Sequence, residues 1–170
     1  MQQRCLHERV EEMEMFTRVL AMLFVIVEIG AAAIAEDADA DKARAMLERV
    51  AVEVKRDQTA AIQMFTNGES GFRDGYIYPF CFRLSDGIVV TGQTAGRDIR
   101  TFSGTAGQQM FDAAHKPEPE ITRLEYLGPK PGIADRTPVR KVSFLRRIGE
   151  LGCGVGYYPY QPDRDARPPQ

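Results

Sequence analysis

The sequence predicts an α+β domain in which one long helix packs on a five-stranded antiparallel sheet, with a short helix in the connection. Three observations lead there. Apolar residues recur at helical spacing from Lys42 to Phe65. Later segments alternate at a period of two. The connections between the last strands are too short for parallel crossovers, which need a dozen or more residues.

Residues Glu36 to Asp41 are acidic, and Asp39 or Asp41 can cap the helix that follows. Within 42–65, Ala43, Leu47, Val50, Val54, Ala61 and Phe65 share one face, and Arg44 and Glu48 lie one turn apart on the other. Asn67-Gly68 ends the helix, since both residues tolerate a left-handed backbone. Gly68, Gly71 and Gly75 read as turn glycines; they lack P-loop spacing, and no Lys-Ser/Thr follows. Tyr76 to Leu84 is the clearest strand, with Tyr76, Tyr78, Phe80, Phe82 and Leu84 on one face. Asp86-Gly87 signals a tight hairpin, and Ile88 to Thr91 is the expected return strand. Gly92 to Gly104 is irregular. Thr105 to Ala114 suits a short helix with Met110, Phe111 and Ala114 inward, ended by Pro117 and Pro119. Ile121 to Leu127, Val139 to Ile148 and Leu151 to Tyr158 complete the five strands, with a Pro/Gly loop at 128–138. Residues 161–170, rich in Pro, Arg and Asp, are expected to form a disordered tail.

Met15 to Ala35 reads as an export signal. Arg18 precedes an apolar run, and small residues lead to Ala33-Ile34-Ala35, a signal-peptidase site. The competing reading is a membrane anchor, which the short run and Glu28 disfavour. Residues 1–14 are acidic where an export signal should be basic, so translation is expected to start at Met15. The domain organisation is therefore a signal peptide at 1–35, one domain at 36–160 and a tail at 161–170. The expected location is the periplasm or the medium.

Residues 1–35 hold three of the 22 Lys and Arg and five of the 24 Asp and Glu, leaving 19 of each in the remainder. A neutral chain without basic clusters has no electrostatic footprint for nucleic acid or for an anionic membrane. Beyond the leader the cysteines are Cys81 and Cys153, which could pair or remain two buried thiols. The one histidine there, His115, follows the short helix and reads as a surface residue. There is no metal-ligand spacing, no nucleophile with a base beside it and no paired carboxylates, so neither an enzyme nor a cofactor is expected.

The order of elements and several strings resemble the single Cache domain, an extracytoplasmic sensor module with a PAS-like sheet. The strings are Phe72-Arg73-Asp74-Gly75, Tyr76 to Phe82, Asp86-Gly87-Ile88-Val89-Val90, Gly96-Arg97-Asp98-Ile99, Leu124-Glu125-Tyr126, Lys141-Val142-Ser143-Phe144 and Gly154-Val155-Gly156-Tyr157-Tyr158. The resemblance spans about 42–158. It implies binding of a small molecule, often a short carboxylate or amino acid, on one sheet face. It also implies a membrane kinase or chemoreceptor as partner, and the chain would be a free-standing version of such a sensor.

The family's pocket lysine maps to Lys141. Tyr76, Tyr78, Phe80, Phe82 and Tyr126 would wall the pocket, and Arg97, with Arg100 nearby, would close over it. Arg140 lies on the opposite face of the same strand. By the same resemblance the first and last strands are neighbours, which would let Cys81 and Cys153 form a disulfide. Two departures stand out: Thr91-Gly92 where a His-Pro is common, and Phe144 where a Tyr is common. Both would remove hydrogen-bonding groups near the pocket. They motivate a second reading, an interaction protein that kept the fold, lost the ligand and modulates a membrane receptor or kinase. A homodimer through the long helix is compatible with either reading.

Overall fold

The computed structural model describes residues 38–132, 134 and 137–159. The expected signal peptide, the Met15 start and the tail lie outside the described residues. Helix α1 covers 38–56, so Asp39 and Asp41 lie inside it rather than capping it. The expected single helix is interrupted. Asp57 takes an extended backbone (φ −158°, ψ 101°), and its carboxylate accepts a hydrogen bond from the Ala60 N–H, which starts α2 (Gln58–Asn67). Gly68, at φ 70°, closes α2 by donating its N–H back to the Met64 and Phe65 carbonyls.

The strands are β1 (Tyr78–Arg83), β2 (Thr122–Gly128), β3 (Val139–Ile148) and β4 (Leu151–Tyr157), and α3 (Ala106–Ala113) lies between β1 and β2. They form one antiparallel sheet of four strands, ordered β1-β4-β3-β2. The expected fifth strand does not form as one. Ile88 to Val90 runs beside the outer edge of β1, joined to it by the isolated Phe82–Val89 bridge and the hydrogen bonds Arg83 N–H to Ile88 O and Val90 N–H to Cys81 O. The chain then turns away, because Val89 and Ile99 donate to Arg97 and Gly87 carbonyls within the loop itself.

The sheet separates two apolar layers. On one side α1 and α2 bury Ala43, Leu47, Val50, Val54, Ala61 and Phe65 against Val142, Phe144 and Ile148 of β3 and Val155 and Tyr157 of β4. Arg146, buried on β3, reaches Glu48 of α1 at 2.8 Å. On the other side α3 and the 310 turn Ile99–Thr101 pack Ile99, Met110 and Ala114 against Phe82 and Leu145. Gly107 lets α3 sit on that turn: a Cβ there would come within 2.1 Å of the Ile99 carbonyl oxygen.

Strand β4 contributes to the second layer by omission. Its residues facing that layer are Gly152, Gly154 and Gly156, and a Cβ at each would lie within 2.6 Å of Phe82, Phe80 or Lys141 atoms respectively. Side chains of β1 and β3 therefore lie over the backbone of the strand between them.

Cys81 and Cys153 are register partners on β1 and β4 and are joined by a disulfide that closes 72 residues. Disulfides are typically worth about 2–4 kcal/mol, and the chain-entropy relation puts a loop this long at the top of that range, about 4 kcal/mol. Replacing both cysteines by serine should lower the urea midpoint accordingly. An unchanged midpoint would mean that the covalent bond adds nothing to the packing around it.

Candidate functional site

Between the second face of the sheet and the loop 92–104 lies a cavity of about 350 Å³, near the lower end of the roughly 300–1,000 Å³ usual for small-molecule sites. Its sheet wall is Tyr78 and Phe80 from β1, Tyr126 from β2 and Lys141 from β3, joined by Tyr158 just after β4. The opposite wall is the loop, with Thr94, Arg97, Ile99, Thr101, Phe102 and Ser103. Among the described residues no carboxylate lines it.

Lys141 is the centre of the site. It is only 7% exposed, yet none of the described carboxylates forms an ion pair with it. Its ammonium donates to the Tyr78 hydroxyl at 3.1 Å and lies 4.8 and 5.0 Å from the Tyr78 and Tyr158 ring centroids. Burial works against the charged form, but the phenol oxygens of Tyr126, Tyr78 and Tyr158 and the Tyr78 hydrogen bond favour it by more. The ammonium is held above the ordinary lysine pKa. Burial pushes the Tyr158 phenol up to about 12, against the opposing pull of Lys141. At neutral pH Lys141 is therefore a charged ammonium. Tyr158 donates to the Pro129 carbonyl at 2.7 Å, and the Tyr126 hydroxyl and Ser143 Oγ lie 3.0 Å apart. These bonds fix the two phenols that flank the lysine.

The loop wall is held from behind by two ion pairs. Arg83 meets Asp86, and Arg100 meets Asp98, each at 2.6 Å. Arg100 also donates to the Asp86 carbonyl, and Asp98 accepts from the Arg100 N–H. Hydrogen bonds from these arginines hold both carboxyls below the usual aspartate pKa. Arg100 is thus a loop brace, whereas Arg97 lines the cavity with its guanidinium 4.7 Å over the Phe102 ring.

Of the seven residues expected at the site, Tyr78, Phe80, Arg97, Tyr126 and Lys141 line this cavity. Tyr76 does not. It is 40% exposed in the turn that Asp74 and Ile77 close, and its ring packs edge-on against Tyr158 behind the wall. Phe82 shares the face of Phe80 but is fully buried beside Phe111, deeper in the second layer. Tyr158, Thr94, Phe102 and Ser103 were not expected. Of these only Tyr158 fell in an expected strand, Leu151 to Tyr158.

The two departures from the family pattern also fall elsewhere. Phe144 points to the helices, stacked on Tyr157 and under the Arg44 guanidinium at 4.1 Å. Thr91 Oγ1 accepts the Cys81 N–H at 2.9 Å and lies outside the lining. Neither change removes a polar group from the cavity.

Among the described residues no helix is long and apolar enough to cross a membrane, and no group of His, Cys, Asp and Glu could hold a metal ion. No family model matches the sequence, and no curated protein is significantly similar to it. Solved structures are similar. A methyl-accepting chemotaxis protein from Vibrio parahaemolyticus superposes with a TM-score of 0.58 at 15% identity, over 76% of this chain and 95% of its own. A periplasmic sensor domain of a chemotaxis protein gives 0.50 at 21% identity, over 72% and 92%. A Cache chemosensory domain described for its recognition of carboxylic acids gives 0.50 at 17% identity, over 75% and 93%. The chain shares the fold of these solved domains, one of them a Cache domain.

Proposed function

We propose that this domain is an extracytoplasmic sensory module that binds a short carboxylate in the cavity beside Lys141. One observation carries the reading: a buried ammonium, with no carboxylate partner among the described residues, borders a cavity beside three phenol groups. A buried charge needs a counter-charge, and a ligand carboxylate would supply it together with charge-assisted hydrogen bonds. The apolar side chains of Phe80, Val89, Ile99 and Met110 suit a short hydrocarbon portion. The location rests on the export-signal reading and on the disulfide, which suits an oxidising compartment. A membrane kinase or chemoreceptor as recipient of the signal belongs to the same proposal, on the strength of the resemblance.

The test is thermal unfolding against a panel of short mono- and dicarboxylates and amino acids. A ligand present at a hundred times its dissociation constant should stabilise the domain by about 2.7 kcal/mol. No stabilisation by any of these acids at millimolar concentration would end the proposal.

A further inference from the structure

Resting on that reading, we infer that the preferred ligand carries two carboxylates, one for Lys141 and one for Arg97, and no ammonium. The argument is a charge count of the cavity. Most cations around this half of the domain already have a carboxylate within the chain: Arg83 has Asp86, Arg100 has Asp98, and Arg123 and Arg140 share Glu125. The two cations that line the cavity, Lys141 and Arg97, are not matched by any described carboxylate.

They belong to different walls. Lys141 stands on the sheet, and Arg97 comes from the loop across from it. Arg97 is exposed, but it is not loose. Its guanidinium rests on the Phe102 ring, and Phe102 itself lines the cavity. Thr94, Thr101 and Ser103 surround that wall with hydroxyls, whereas Phe80, Val89, Ile99 and Met110 are apolar. A guanidinium of this kind can bind a carboxylate with two parallel hydrogen bonds.

The same count disfavours an ammonium on the ligand. Among the described residues no Asp or Glu lines the cavity, so an amino group would meet two like charges and none of the described carboxylates. An α-amino acid fits this site poorly although its carboxylate would suit Lys141. Discrimination would come from repulsion as much as attraction.

Succinate, butyrate and 4-aminobutyrate test this directly. They share a four-carbon chain and one carboxylate, and differ at the far end in a carboxylate, a methyl or an ammonium. Calorimetric titration of the full chain with its disulfide intact, repeated with the five-carbon homologues, should rank the dicarboxylate above the alkyl acid by about tenfold or more, and the amino acid last. Arg97→Ala should bring the ratio of dicarboxylate to alkyl-acid affinity to about one, and Arg97→Lys should keep part of it. Equal binding of succinate and butyrate at both chain lengths would overturn the inference while leaving a carboxylate sensor standing. So would 4-aminobutyrate binding as well as butyrate, or a preference that survives Arg97→Ala. Binding of none of the acids would remove both readings together.

Discussion

Gly107→Ala is expected to unfold the loop wall of the cavity and to cost about 3 kcal/mol, a Tm drop on the order of 10 °C. The helix itself would favour the change, since alanine is better than glycine inside a helix by about 1 kcal/mol. The contact decides otherwise. The new methyl would sit 2.1 Å from the Ile99 carbonyl oxygen and 2.9 Å from that of Phe102. Both atoms are backbone, so no rotamer change relieves the clash. Helix α3 must move off the turn at 99–101, and the turn carries Ile99, Thr101 and, next to it, Phe102. Differential scanning calorimetry checks the stability, and the affinity for any carboxylate the wild type binds should fall in parallel. A variant as stable as the wild type would show that helix and turn can part at little cost.

Lys141→Met is expected to separate folding from binding. Methionine matches the lysine stem in length and carries no charge. The change leaves the Tyr78 hydroxyl without its donor, and the opposing gain is an ammonium no longer taken out of water. The ligand-free Tm should therefore stay level or rise. Affinity for carboxylates should fall by about two orders of magnitude or more, because their counter-charge is gone. Titration and thermal unfolding of the same preparation check both halves. Unchanged affinity would mean that the ammonium serves the phenols alone.

The residues differ in how far pattern alone located them. The helix face from Ala43 to Phe65 and the paired strands β3 and β4 follow apolar spacing, so they were legible. The break at Asp57 was not, because a capping carboxylate interrupts the backbone without disturbing the apolar spacing on either side. Along 76–84 the period of two assigned a face correctly to Tyr78, Phe80 and Phe82. It could not tell depth, which is why Phe82 packs under α3 while Phe80 borders open space. Nor could it mark the strand's start, since Gly75 and Tyr76 form a turn that happens to keep the aromatic rhythm. Ile88 to Val90 has the composition of a strand but yields to hydrogen bonds inside its own loop. Thr94, Phe102 and Ser103 arrive from irregular backbone, where no period exists to be read.

The run Gly152-Cys153-Gly154-Val155-Gly156 has a consequence for how such a domain can diversify. An inner strand that shows side chains to the helices alone uncouples the two layers it separates. Changes to the chamber's lining can accumulate on three strands and a loop without touching the packing beneath the helices. Changes under the helices can accumulate without reshaping the chamber. The restriction falls on the glycines themselves, where an added carbon would meet packed side chains at Gly152 and chamber-lining ones at Gly154 and Gly156.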